Sequence, residues 1–306
     1  MTMPPLALAV LLLAAAPPDE SITVENTRLR ADQVRSSAGT YAKAGLPPFP
    51  DFGQFARWKG PPCISVLGIP DPALAARVAA RIAAAATDAG LAAAKPGCKP
   101  NLTVAFTDDA RGLVAKVKSR KRSALPAFDP RLFAALDSAT LPVRWWHVLG
   151  PAGSGGGAGA PDSGALASAT SNATQLGNVL PAGPDAIGTS SWNSSLVDTN
   201  LSVWARAGVA VVDVGLATGV SLDALADYIA LVMIAPMRLP VRDPGVPSVL
   251  TLFQPGSTAT GLTSWDRAFI KGLYRIQMNR SAQRQRQQLL SAMTRELVPD
   301  AASDQP

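Results

Sequence analysis

The sequence predicts an α/β to α+β protein, and three stretches carry that prediction. Residues 63–107 read strand, helix, strand, which makes an N-terminal β-α-β unit with parallel strands. A Gly/Ser-rich stretch then interrupts the pattern, and beyond residue 189 a C-terminal hairpin and two main helices follow. Five parts result: a signal peptide at 1–16, a Pro-rich N-terminal segment at 17–62, a β-α-β domain at 63–149, a connection at 150–188 and an α+β C-terminal part at 189–306.

Met1 to Ala16 reads MTMPPLALAVLLLAAA, an apolar run ending in small residues before the polar Pro17-Pro18-Asp19-Glu20. That is the h-region and small-residue end of a secretory signal, well short of the about 20 apolar residues a membrane span needs. No cysteine follows it directly, so a lipid anchor is not expected. Ile22 and Val24 then alternate with polar neighbours as a short strand does, and Asp32 to Ser37 opens a turn of helix. Prolines 47, 48, 50, 61 and 62 hold the next stretch extended, and its Phe49, Phe52, Phe55 and Trp58 pack onto the domain that follows.

Cys63 to Ile69 is a strand by its β-branched content. Asp71 caps the helix after it with Pro72 in the first helical position, and Leu74, Val78, Ile82 and Ala86 repeat at helical spacing until Gly90. Asn101 to Thr107 is the second strand, and Asp108 or Asp109 caps a helix running to about Arg120. A short helix over Pro130–Asp137 and a strand over Pro142–Leu149 complete this part. Gly150 to Gly164 is low-complexity linker. Ser190 to Val214 holds two strands separated near Ala207-Gly208, the hairpin. Ser221 caps a buried helix to Ala235, too charged at Asp223 and Asp227 to be a membrane span, so no transmembrane span follows the leader. Pro247 to Phe253 is extended. Thr263 begins the last helix with the stripe Trp265, Phe269, Leu273 and Ile276. Gln277 to Gln288 is polar and is expected in water, after which Leu289, Leu290, Met293 and Leu297 offer an apolar face to a protein partner.

Two cysteines and one histidine exclude more chemistry than any other count. A Cys/His zinc site cannot be assembled from them, and nucleophilic catalysis would have to use His147, which lies in an apolar strand where a packed histidine is expected. Neither Gly-x-Ser-x-Gly nor His-Glu-x-x-His occurs. In an exported chain an even count of two makes Cys63 and Cys98 one disulfide closing a loop of 35 residues, and the β-α-β geometry sets both at the N-terminal edge of neighbouring strands.

Carboxylates are the remaining resource. Asp71, Asp108 and Asp109 fall at the C-terminal ends of parallel strands, where open sheets bind ligands, and Asp108 with Asp109 is a candidate metal pair as well as a candidate cap. Asp213, Asp223, Asp227 and Asp266 are candidate catalytic acids, Asp223 and Asp227 sharing a helix face at i, i+4. The net charge of +6 concentrates at Lys116 to Arg122, with five basic residues in seven and no interleaved aromatic, so a solvated helix end is expected and no specific nucleic acid.

Three segments together resemble a family of uncharacterised exported alphaproteobacterial proteins: Gln54-Phe55-Ala56-Arg57-Trp58 leading to Cys63-x-Ser65-Val66-x-Gly68; Gly97-Cys98-x-Pro100-Asn101-Leu102-x-Val104; and Leu225-Ala226-Asp227-Tyr228-Ile229-Ala230 with Leu262-Thr263-x-Trp265-Asp266-x-Ala268-Phe269-Ile270-x-x-Leu273-Tyr274. The C-terminal pair is also faintly similar to degenerate secreted peptidase-like domains, though the histidines of such a peptidase are missing. The resemblance implies export and the Cys63–Cys98 pairing and supplies no mechanism. The expectation is a periplasmic or secreted accessory or binding protein of the envelope, non-catalytic and without cofactor. The alternative is a carboxylate- or metal-dependent hydrolase-like enzyme using the aspartates.

Overall fold

The computed structural model describes residues 20–46, 54–120, 130–153, 199 and 201–298. The leader, Phe49, Phe52, Lys121, Arg122 and nearly all of the 150–188 connection lie outside the described residues. The elements are α1 (Glu20–Gly45), β1 (Arg57–Trp58), β2 (Ile64–Leu67), α2 (Pro72–Asp88), β3 (Leu102–Thr107), α3 (Ala110–Arg120), α4 (Pro130–Leu136), β4 (Val143–Gly153), β5 (Leu201–Asp213), α5 (Leu222–Ile234), a 3-10 turn (Val249–Thr251), α6 (Ser264–Arg275) and α7 (Ala282–Leu297). The class is mixed α/β. Among the described residues no helix is long and apolar enough to cross a membrane.

The predicted β-α-β unit is present. β2 and β3 pair in parallel with Ile64 opposite Leu102, and α2 connects them. Asp71 caps α2 by accepting the Ala73 amide at 2.8 Å, Pro72 occupies the first turn, and Val78, Ile82 and Ala86 are buried while Leu74 remains 39% exposed. Gly90, at φ +95°, lets the Gly90 and Leu91 amides reach back to Thr87 and Ala86 at 2.9 and 3.0 Å, the paired bonds of a Schellman stop. Cys63 and Cys98 are disulfide-bonded with Cα atoms 6.0 Å apart, tying the start of β2 to the approach to β3.

The hairpin expected within 190–214 is not formed. β5 is one continuous strand, and its antiparallel partner is β4, from the other side of the Gly/Ser-rich connection. β3 runs parallel to β5 from Gly208 to Asp213 and β1 parallel to it at Trp204 and Ala205. With β4 along one side of β5, β1 and β3 share the other. Gly208 is not a turn. A Cβ there would stand 2.5 Å from Met233 Cε and 3.3 Å from both Trp58 and His147, so glycine serves a close approach of helix to sheet. Parts expected on either side of the connection therefore share one sheet and one core.

Three further expectations are corrected. Residues 20–45 are a helix, not a short strand; Ala38, Tyr41 and Ala42 are its buried side, a helical period written in small residues. The 247–253 stretch closes as the 3-10 turn, capped by Ser248, whose hydroxyl accepts the Leu250 amide at 3.1 Å. The polar stretch 277–288 does not all stand in water. Gln285 is 0% exposed; its amide group donates to the Gln277 and Met278 carbonyls at 3.2 and 3.1 Å and accepts the Phe55 amide at 2.7 Å. Gln285, Leu289 and Met293 share one face of α7 at i, i+4, i+8, and this face packs within the chain: Leu289 and Met293 lie against Gly272 of α6. Arg35 of α1 donates to Ser291 and Gln287 of the same helix at 3.0 and 2.7 Å. Leu289 and Met293 of the apolar face expected to meet a partner are thus used internally, and Leu290 packs partly buried against the same core.

Replacing Cys63 and Cys98 together by alanine frees a loop of 35 residues in the unfolded chain. The expected loss is about 3–4 kcal/mol of unfolding free energy, read from urea unfolding of oxidised wild type against the double variant. Equal midpoints would show that the bond contributes nothing to stability.

Candidate functional site

Every candidate carboxylate except Asp108 has a structural occupation. Asp109 caps α3 through the Gly112 amide at 2.7 Å, and Asp108 beside it is exposed. Among the described residues no group of three metal-ligating side chains occurs. Asp213, at the end of β5, accepts the Leu216 amide at 3.1 Å and stands 3.8 Å from Arg144. That arginine is 1% exposed, and its guanidinium donates to the Leu136, Ser138 and Leu141 carbonyls at 3.2, 2.6 and 2.7 Å, closing the end of α4. Burial lowers its pKa from the usual arginine value.

Asp223 and Asp227 do share a face, as the i, i+4 spacing predicts, and arginines at i, i+4 on α2 meet them. Arg77 forks onto Asp223 at 2.8 and 2.5 Å, Arg81 forks onto Asp227 at 2.9 and 2.8 Å, and Arg81 also lies 3.5 Å from Asp223. Hydrogen bonding from Arg77 holds Asp223 below the usual carboxylate range. Asp227 additionally accepts the Leu262 amide at 3.0 Å. This is a two-rung ladder joining helices, with its acceptor positions occupied.

Asp266 is 0% exposed and accepts from Tyr41 Oη and Ser248 Oγ at 2.5 Å each and from the Val249 and Thr263 amides at 2.9 Å each. With Thr263 it also forms the capping box of α6, its own amide donating to Thr263 Oγ1 at 3.2 Å. Burial, and then the Asp266 charge, push the Tyr41 hydroxyl well above the ordinary tyrosine value. The four aspartates thus belong to separate sets of partners: the end of α4, the α2–α5 ladder and the α1–α6 junction.

His147 is 7% exposed, with one ring nitrogen 3.1 Å from the Met233 carbonyl and its ring edge-on to Trp58. Burial lowers its pKa to about 4. That agrees with the packed histidine expected from its apolar strand.

A cleft that sequence reasoning missed lies elsewhere, where β1, the end of α2, β5 and α6 meet. It encloses about 550 Å³, with Arg57, Lys59, Lys271 and Arg275 as its basic residues, Trp58, Trp204 and Tyr274 as its rings and Asp88 as its one acid. Tyr274 fixes the corner: its hydroxyl donates to the Ile234 carbonyl at 2.8 Å and accepts the Trp58 amide at 3.3 Å, joining α6, α5 and β1. Trp58 Nε1 donates to the Met233 carbonyl at 2.8 Å. Lys271 reaches Asp88 at 3.3 Å and Glu296 at 3.1 Å, Arg275 reaches Glu296 at 3.2 Å, and hydrogen bonding from Lys271 keeps Glu296 below the usual carboxylate range. The chain matches no protein-family model, no curated protein and no solved structure. The sequence signal that could have pointed to the cleft is the Arg57-Trp58-Lys59 triplet, whose ring partners Trp204 and Tyr274 lie more than a hundred residues away.

Two predictions follow from these placements. Asp266→Ala leaves the Tyr41, Ser248, Val249 and Thr263 donors without their acceptor, and a loss on the order of 3 kcal/mol is expected in chemical denaturation. Asp223→Ala, at the exposed rung, should cost much less; equal losses would deny Asp266 its role as a junction. For His147 the folded pKa lies below the unfolded value near 6.5, so the unfolded chain binds the proton first as pH falls. Its contribution is full above about pH 6.5 and falls by about 3 kcal/mol on approaching pH 4. His147→Gln should flatten the stability profile across that window, and an unchanged slope would contradict the assignment.

Proposed function

We propose that the chain is an exported binding protein of the cell envelope that performs no covalent chemistry and holds a small ligand in the cleft between β1, the end of α2 and α6. The cleft is the observation that carries this reading. Four basic side chains and three aromatic rings meet in about 550 Å³, a volume suited to a small molecule. Asp213, Asp223, Asp227 and Asp266, the groups a hydrolytic mechanism would use, are committed to holding helices together. The Cys63–Cys98 disulfide supports an oxidising compartment, as does the apolar run before Pro17.

Expression of the full chain in a Gram-negative host, with fractionation and intact-mass measurement, tests export. The expected product is periplasmic, shortened at its N-terminus and two protons lighter than its reduced form; a cytoplasmic product of full length with two free thiols would overturn export. Hydrogen exchange with the small-molecule fraction of an envelope extract tests the cleft. Protection is expected at residues 57–59, 88–91 and 271–275, and protection confined to other regions would remove the cleft as the ligand site.

A further inference from the structure

We propose that this cleft recognises a phosphate monoester, an inference that rests on the binding-protein reading above. Its basic residues divide into two groups. Lys271 and Arg275 are engaged by Asp88 and Glu296, at 3.1 to 3.3 Å. Arg57 and Lys59 have no carboxylate partner among the described residues, so two positive charges stand in excess beside Trp204.

Arg57 is held in position without being used up. Its guanidinium lies 5.6 Å from the Trp204 ring centre and 5.7 Å from that of Tyr274. Nη1 donates to the Leu273 and Tyr274 carbonyls at 3.3 and 2.5 Å, in the last turn of α6. Nε and Nη2 meet no acceptor among the described residues, and neither is sealed from solvent. This free edge of the guanidinium is the fork that takes two oxygens of one anion side by side. Burial lowers the Arg57 pKa from its usual value, the mark of a cation partly stripped of water with no acid to offset it.

Lys59 completes the anion seat. It is exposed, and its ammonium lies 6.0 Å from the same Trp204 ring. A phosphate monoester carries about −1.5 to −2 at neutral pH, which matches two uncompensated cations, whereas a carboxylate neutralises one. The remainder of the ligand has Trp204, Leu91 and Ala89 to lie against.

Calorimetric titration of the full chain with phenyl phosphate, benzoate, and phosphatidylcholine vesicles with and without phosphatidic acid tests the proposal. Lys59→Gln changes an exposed side chain and Arg57→Lys keeps the charge while removing the fork. Saturable binding of phenyl phosphate is expected, falling about tenfold in either variant and weakening below about pH 6 as the monoester gains a proton. Binding confined to phosphatidic-acid vesicles, with the same loss in the variants, supports the same chemistry from a lipid source. Benzoate binding as tightly as phenyl phosphate overturns the phosphate class and leaves the binding cleft standing. No binding of any probe, or affinities unchanged in both variants, overturns the proposal.

Discussion

A carboxylate sealed in the interior, with no cation paired to it among the described residues, is the constraint around which the C-terminal half is arranged. Asp266 is surrounded by the Tyr41 and Ser248 hydroxyls and the Val249 and Thr263 amides, so its desolvation is offset by hydrogen bonds from three separate stretches of chain. Tyr41 brings α1 to this point, and its ring packs against Phe269 of α6 at 4.8 Å. The same carboxylate begins α6 through the capping box, and α6 carries Lys271, Tyr274 and Arg275 at its other end. The position of one wall of the cleft is thereby set at the buried end of its helix.

The opposite wall depends on how closely α5 approaches the sheet. α5 is buried on every side from Ala224 to Ile234, as a helix enclosed by other elements must be. Gly208 leaves room for Met233, and the Met233 and Ile234 carbonyls then accept the Trp58 indole and the Tyr274 hydroxyl. β1 is only two residues long, too short to hold itself by ladder bonds, and these two side chains pin it. Arg57 and Lys59 flank the pinned tryptophan. The position of the cleft's cationic face is therefore set by the packing that pins Trp58.

Most of the acidic groups described above do cohesive work, while two basic residues without a carboxylate partner among the described residues, Arg57 and Lys59, stand at the cleft. Arg77 and Arg81 consume Asp223 and Asp227, Arg144 is spent on the end of α4, and Asp109 and Asp71 cap helices. In the cleft the Arg57 guanidinium lies beside indole and phenol rings that lower the cost of leaving it partly dry.

Features that depend on near neighbours along the chain were legible in the residues themselves. Asp71 and Pro72 starting α2, Gly90 ending it, Ser221 capping α5, the enclosed character of α5, the β2–α2–β3 unit and the Cys63–Cys98 pair were all legible, because caps, stops and periodic stripes are bonds made within a turn or two. Ile22 and Val24 misled for the same reason: β-branched residues signal strand locally, and tertiary contacts of Ala38, Tyr41 and Ala42 with the C-terminal helices favour helix. Long-range packing settled that Gly208 is a contact and not a turn, that β4 is the partner of β5, and that Gln285 faces inward beside Leu289. It alone brought Arg57, Lys59, Trp204 and Tyr274 together. A glycine, a glutamine or an arginine reads the same in sequence whether it meets water or a distant backbone. Which of these it meets depends on strand register and helix placement set by segments far away in the chain.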